Sequence, residues 1–276
     1  MAQLQEDIKK YYEECDRSYQ HWGGEGIYNI HYGYWEKGIK SHVEALNNMN
    51  RILAEKLRIK PGDKILDAGC GVGASAIWLA KNYDVEVVGI TLSELQCKKA
   101  NDFAGKEGVS NRVRFYVMDF SNTTFPNTNF DIVWGLESVC YAPDKRAFVK
   151  EVYRILREGG KLIVADGFIN KKDISKLNRF FLNNWLKGWK VPSLAGVSDF
   201  NKYLEEEGFK NINFTDITKN IFPSSREIFK RGLLGWPVYK FKGKNQFQID
   251  HVKGCIFQYP ALKKGAWIYG IFYAEK

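Results

Sequence analysis

The sequence predicts an α/β fold, a doubly wound and mostly parallel sheet, and three observations carry that expectation. Between residues 63 and 165, short β-branched runs alternate with helix-length segments, the spacing of βαβ units whose crossovers pair their strands in parallel. The first run ends in a glycine-rich turn, Asp67-Ala68-Gly69-Cys70-Gly71-Val72-Gly73, which opens directly into a helical stretch. The chain has 276 residues, 45% hydrophobic and 26% charged, enough length and apolar content for a full core.

The N-terminal stretch MAQLQEDIKKYYEECD mixes acids, bases and rings and has no apolar signal core, so a cytoplasmic protein is expected. Residues 21–38, HWGGEGIYNIHYGYWEKG, hold glycines and rings with no clear period and predict a loop or lid. SHVEALNNMNRILAEKLR over 41–58 predicts a helix that stops near Pro61-Gly62. DKILDAGCGVG (63–73) reads as a buried strand running into its glycines, and ASAIWLAKN (74–82) as the helix after it. DVEVVGI (84–90) is a second strand, and Ser93 caps the helix ELQCKKANDFAGKEG (94–108). RVRFYVMD (112–119) and FDIVWGL (130–136) are the third and fourth strands. The helix DKRAFVKEVYRILRE (144–158) is expected to end at Gly159-Gly160, followed by the fifth strand, KLIVADGF (161–168).

Beyond this block, residues 176–190 and 224–240 have the broad apolar faces of helices. VSDFNKYLEEEGF (197–209) is a capped helix leading into the strand NINFTDIT (211–218), and GAWIYGIFYAEK (265–276) alternates like a half-buried strand. The division that follows is an N-terminal lid and helix over 1–60, a ligand-binding core over 61–170, and an aromatic, basic cap over 171–276 that also supplies the last strands.

No apolar run approaches the ~18 residues of a bilayer span. Five scattered cysteines without a C-x-x-C pair, and four histidines without H-E-x-x-H spacing, signal neither a disulfide framework nor a metal site. The net charge of +9 is local: basic and acidic residues balance up to residue 165, and residues 166–276 hold nineteen against ten, with 21 of the 41 aromatics. The lysines there are dispersed rather than clustered, as on a solvated surface. A small-molecule partner is therefore expected rather than a nucleic acid, and peripheral membrane contact stays open.

The glycine turn has two readings. Gly69-x-Gly71-x-x-Ala74 fits a dinucleotide fingerprint, but that site needs an acid at the end of the second strand to hold a ribose, and Thr91 stands there. The acids lie elsewhere, at Asp67 before the glycines and at Asp119 after the third strand. That arrangement suits a ligand with a cationic end and an adenine but no pyrophosphate. Asp67 would orient the cation or its water, Asp119 would accept from the adenine amino group, and Phe120 would lie against the ring.

The stretches ILDAGCGVG, VVGITLSELQ, VMDF and GLESVCYAPDKRAFVKEVYRILREGGKLIVAD resemble class I methyltransferases dependent on S-adenosyl-L-methionine (SAM). The similarity is to the small-molecule branch of tocopherol, sterol C-24, geranyl diphosphate and sarcosine/dimethylglycine methyltransferases, strong over about 40–170. The resemblance implies a seven-stranded, Rossmann-like sheet with its final strand pair partly antiparallel. It also implies that Thr91, Leu92 and Gln96 replace the ribose-binding acid, and that Asp67, Gly69, Cys70, Gly71, Asp119 and Phe120 complete the cofactor site.

Methyl transfer asks mainly for positioning, exclusion of water and a place for any released proton. Candidates at the carboxyl end of the fourth strand are Glu137, as base or charge stabiliser, and Tyr141, as hydrogen-bond donor or cation-facing ring. Relatives often have histidine where Tyr141 stands, which tilts the expectation toward carbon methylation. His31 is the one histidine close to these motifs and is expected to contact substrate as base or donor. Tyr28, Tyr34 and Trp35 are expected lid residues, and Trp185 and Trp189 substrate-facing rings of the cap. The rings suit an isoprenoid, sterol-like or quinol substrate, methylated on carbon or oxygen; N-methylation of a small amine is the alternative.

Overall fold

The computed structural model describes residues 2–23, 29–170, 174–241 and 245–276. In chain order the elements are α1 (Ala2–Gly23), α2 (His42–Leu57), β1 (Lys64–Ala68), α3 (Ala74–Asn82), β2 (Glu86–Thr91), α4 (Glu94–Lys106), β3 (Val113–Val117) and β4 (Phe130–Leu136). There follow α5 (Lys145–Ile155), β5 (Leu156–Ile169), α6 (Lys176–Gly188), β6 (Ala195–Gly196), α7 (Val197–Glu207), β7 (Lys210–Asp216), α8 (Thr218–Phe241), α9 (Gln246–Lys263) and β8 (Ile268–Glu275).

The strands lie in the order β3-β2-β1-β4-β5-β8-β7, with the two-residue β6 attached to β5. β1 to β5 pair in parallel, while β8 runs antiparallel to both β5 and β7. The sheet is therefore the expected seven-stranded path with an antiparallel end, plus one short strand. Strands buried on both faces need apolar side chains in both directions. Ile65, Ile132, Trp134 and Ile163 enter one core with Leu53, Ile77, Leu79 and Leu182. Leu66, Val133, Leu162 and Val164 enter the other with Phe148, Val152, Phe200 and Leu204. Helices thus cover both faces, which is the doubly wound arrangement.

Local chemistry sets the boundaries. Ser41 and Ser93 cap α2 and α4 by accepting from Glu44 N and Gln96 N, and Asp144 caps α5 through Arg146 N and Ala147 N. Helix α5 stops at Ile155, earlier than Gly159-Gly160. The fully buried Leu156 is already extended and pairs with Phe130, and Gly159 turns within the strand at φ 72°.

Two helices fall where the sequence shows little signal. Helix α1 occupies the polar N terminus, with Ile8, Tyr11 and Cys15 buried at i, i+3 and i+7. Helix α9 buries polar and small residues, among them Asp250, His251, Gly254 and Gln258, so its apolar period is weak. Helix α8 begins six residues before the expected start and continues through Pro223 and Pro237.

Candidate functional site

The strand order reverses between β1 and β4, because the chain leaves β1 toward β2 and later returns to β1's other side. Open sheets of this kind bind ligands outside the carboxyl ends of the strands at such a point. Here a cavity of 790 Å³ lies there, walled by the β1, β2 and β4 ends and roofed by helices α1, α8 and α9.

On one side the glycine turn forms the wall. Gly69 N and Cys70 N donate to Ile90 O at 3.0 and 2.9 Å, which ties the turn to β2. Gly69, Gly71 and Gly73 have φ of 86°, 54° and 85°, conformations that glycine adopts without strain. A Cβ on Gly69 would fall 2.4 Å from Ser138 Cβ, and one on Gly73 would fall 2.5 Å from Phe115 Cζ. Gly71 differs: a Cβ there meets nothing nearer than 3.8 Å and would project into the space a ligand needs.

Asp67 lies beneath this turn, 3% exposed. Its Oδ2 has no hydrogen-bond partner among the described residues. Burial pushes its carboxyl up to about 7, and the Ala76 N–H at the start of α3 opposes that rise. A buried carboxylate oxygen without a partner, at the edge of a ligand-sized space, is expensive unless something positive or hydrogen-bonding arrives. On the next strand end, Thr91 Oγ1 donates to Gln96 Oε1 at 2.6 Å. That bond turns the Gln96 amide nitrogen toward Gly71, 4.0 Å from where its Cβ would be. Leu92 and Phe120 complete this wall. A glycine turn, an orphaned carboxylate, an amide donor and a ring fit the sulfonium, amino acid and adenosine parts of SAM.

Asp119 is placed differently from the sequence expectation. It is off the cavity wall, and its carboxylate accepts from Gln5 Nε2 of α1 at 2.5 Å and from Ser121 N at 2.8 Å. Helix α1 is fastened over the site by further contacts. Ser93 Oγ donates to Glu13 at 3.0 Å, Lys99 pairs with Asp16 at 2.5 Å, and Tyr12 packs against Tyr141 with ring centroids 5.5 Å apart.

The opposite wall gathers the chemical groups. Glu137 has φ 51°, a left-handed conformation rare outside glycine that aims its carboxylate from the β4 end into the cavity. Its Oε1 accepts from Tyr32 N at 2.6 Å and from Tyr269 OH at 2.8 Å, and neither bond uses Oε2. Desolvation pushes the Glu137 carboxyl up to about 8 against those two bonds. Asp166, on β5, is buried and accepts from Cys140 N and Gly167 N at 2.8 and 2.7 Å; burial raises it to about 6. His31 lines the cavity with Nδ1 at 2.9 Å from Tyr32 O, and burial lowers it to about 4, so it is neutral at physiological pH.

Tyr141 donates to Trp189 O at 3.0 Å, so its hydroxyl holds the loop between α6 and β6 rather than standing open. Trp185 and Trp189 line the cavity, joined by Trp267, which lies 4.3 Å from Trp185 between ring centroids. Tyr34 and Trp35 do not reach the cavity. Tyr34 N bonds Ala45 O, and Trp35 Nε1 donates to Ser224 Oγ at 2.9 Å, which anchors the segment to α8. Tyr28 lies outside the described residues.

Several wall residues are absent from the sequence reading. Asp166 was within reach of the rule that picked out Glu137, a polar residue at a strand's carboxyl end. Tyr32 sits among four named neighbours and differs from them only by its tertiary position. His251 also lines the cavity, so His31 is not the sole histidine at the site. His251 Nδ1 lies 2.8 Å from Tyr11 OH, and burial lowers the imidazole to about 4. Both partners belong to the helices with the faintest sequence signal.

Fold and site together define a SAM-dependent methyltransferase. The model of the family described as mycolic acid cyclopropane synthetase matches residues 1–226, and the chain belongs to that family. Among curated relatives it is 31% identical over 230 residues to 27-O-demethylrifamycin SV methyltransferase of Amycolatopsis mediterranei (strain S699), covering 83% of this chain and 81% of that one. It is 25% identical over 291 residues to the chloroplastic tocopherol O-methyltransferase of Arabidopsis thaliana, covering 99% and 82%. Among solved structures, geranyl diphosphate C-methyltransferase from Streptomyces coelicolor A3(2), in complex with Mg2+, geranyl diphosphate and S-adenosyl-L-homocysteine, shares the fold with a TM-score of 0.74 at 20% identity over 99% of this chain and 98% of that one. Among the described residues no helix is long and apolar enough to cross a membrane.

Proposed function

We propose that this methyltransferase acts on a phenolic or enolic hydroxyl of a small amphipathic metabolite, a quinol-like substrate. The observation that carries the reading is Glu137: a carboxyl held at about 8, with Oε1 engaged and the side chain at a cavity wall that continues into tryptophans. A general base works best when its own pKa lies near the operating pH and not far below that of the group it deprotonates. A phenol at ~10 is within reach of such a group; an aliphatic alcohol is not.

In this reading Gly69, Cys70, Gly71, Asp67, Thr91, Leu92, Gln96 and Phe120 hold the donor. When bound, its sulfonium supplies the methyl group: the substrate oxygen bonds the methyl carbon as the carbon–sulfur bond breaks and sulfur keeps the electron pair. Glu137 Oε2 takes the hydroxyl proton. Tyr269 and the Tyr32 N–H fix the carboxylate in place, and His31, neutral and buried, offers a second polar contact beside it. Trp185, Trp189 and Trp267 exclude water and hold the apolar remainder of the substrate. Tyr141 keeps Trp189 in position. The relative named tocopherol O-methyltransferase supports oxygen as the acceptor, against the carbon expected from the missing histidine. Five free cysteines accord with a reducing cytoplasm.

The test is transfer of label from methyl-labelled SAM to a tailed phenol, a tailed aliphatic alcohol and a small amine in parallel. Label on the phenol oxygen, lost in Glu137→Gln, supports the reading. Label on the amine alone, or equal transfer by the variant, refutes it.

A further inference from the structure

Helix α8 has two working faces. Ile228, Gly232, Gly235 and Tyr239, at i, i+4, i+7 and i+11, line the cavity. Lys230, Leu234, Pro237 and Phe241 repeat the same spacing on the opposite side. There Leu234 is 79% and Phe241 76% exposed, and Leu233 and Val238 are exposed beside them. Large apolar side chains scattered singly on a surface mean little, but four within nine helical residues form a patch.

The charge around the patch is predominantly positive. Arg226, Lys230 and Lys240 are exposed on the same face, and Lys240 Nζ sits 5.3 Å from the Phe241 ring centroid and 6.0 Å from that of Trp236. The only acid in α8, Glu227, is paired with Arg231 at 3.1 Å. This is also the third of the chain that holds the whole basic excess. An exposed helix face with apolar side chains and a basic margin is the form that lies in the headgroup layer of an anionic bilayer.

We propose that the C-terminal half of α8 docks this protein on an anionic lipid surface, with Leu233, Leu234, Val238 and Phe241 entering the interface and Arg226, Lys230 and Lys240 meeting the headgroups. A second copy of the chain fits the face less well, because a two-fold contact would set these cations against their own counterparts, and Glu227, the acid of this face, is already paired with Arg231. Docking in this orientation would put one wall of the substrate cavity on the helix that rests on the membrane. An apolar substrate dissolved in the bilayer would then reach the cavity without crossing water.

The experiment is co-sedimentation of the full chain with vesicles of equal parts phosphatidylcholine and phosphatidylglycerol, and with vesicles of phosphatidylcholine alone. The wild type should pellet with the anionic vesicles and much less with the neutral ones, and binding should weaken as salt rises. Leu234→Asp and Phe241→Asp should each lower partitioning roughly tenfold or more, with S-adenosylhomocysteine affinity unchanged as proof of folding. Should either fail that folding check, Lys230→Glu with Lys240→Glu replaces it, with a loss of about fivefold per cation removed. Wild-type protein left in the supernatant, or variants that bind as well as wild type, overturns the proposal. So does a concentration-dependent dimer that Leu234→Asp dissociates while no vesicle binds. Vesicle binding needs no turnover, so failure here leaves the phenol reading of the cavity intact.

Discussion

Replacing Asp67 with asparagine should weaken the cofactor complex and strengthen the empty protein, two effects of opposite sign from one atom. In the folded chain burial takes the Asp67 carboxyl from 3.8 to about 7, so keeping it ionised costs on the order of 4 kcal/mol. Asparagine has the same shape and removes that charge, but buries an amide nitrogen where Oδ2 now has no partner, at about 1–3 kcal/mol. At pH 8 the net change for the empty protein is a gain of roughly 1–3 kcal/mol, or several degrees in melting temperature. The complex loses a charge-assisted hydrogen bond worth about 1.5–3 kcal/mol, so S-adenosylhomocysteine affinity should fall roughly 10- to 150-fold. Scanning calorimetry of the empty protein and isothermal titration with the ligand, both at pH 8, read the two halves. An unchanged affinity would show that Asp67 does not face the ligand, and a destabilised empty protein would show that its carboxylate is already satisfied.

Gly71→Val forces a β-branched residue to φ 54° and projects it into the cavity; titration should find S-adenosylhomocysteine binding nearly abolished, and a normal isotherm would refute the glycine turn as the cofactor wall. Glu137→Gln keeps the contacts at Oε1 but removes the proton acceptor, so kcat should drop on the order of 100-fold or more with SAM affinity within about threefold; equal loss of both would make Glu137 a cofactor ligand instead. Asp67, Glu137 and Asp166 have folded pKa values of about 7, 8 and 6, all above their unfolded values. Their contribution to stability is therefore complete at low pH and is lost as pH rises through those values. His31, His42 and His251, lowered to about 4, act in the opposite sense until pH passes about one unit above ~6.5. Between pH 6.5 and 8.5 the empty protein should thus lose roughly 2 kcal/mol net, seen as a falling melting temperature that bound S-adenosylhomocysteine partly levels. A rising melting temperature over that window would contradict the burial of these acids.

The parallel core was legible because its central strands β1, β4 and β5 are largely apolar on both faces, and because Ser93 and Asp144 cap the crossover helices α4 and α5. The antiparallel end followed from the resemblance and is present in β8. Helices α1 and α9 were hard to read for a physical reason. Their buried faces carry Tyr11, Cys15, His251 and Gln258, which bond across the molecule rather than form an apolar stripe. The glycine turn at the cavity was legible because glycines at positive φ are dictated by local backbone geometry, as at Gly69 and Gly71. Asp119 shows the limit of that logic: its place after β3 is right, yet a glutamine 114 residues away takes its carboxylate. The same limit explains Trp35, whose indole answers to Ser224 in a helix far along the chain.

Methyl transfer here requires that one cavity hold the methyl donor at the glycine turn and an acidic hydroxyl at Glu137. A crystal structure with S-adenosylhomocysteine and a tailed phenol measures this directly. The predicted result is the adenosine against Phe120, the sulfur between Gly71 and Glu137, and the phenol oxygen within about 3.2 Å of Glu137 Oε2. A phenol ordered elsewhere, with Glu137 Oε2 bonded to the amino group of the cofactor, would contradict it.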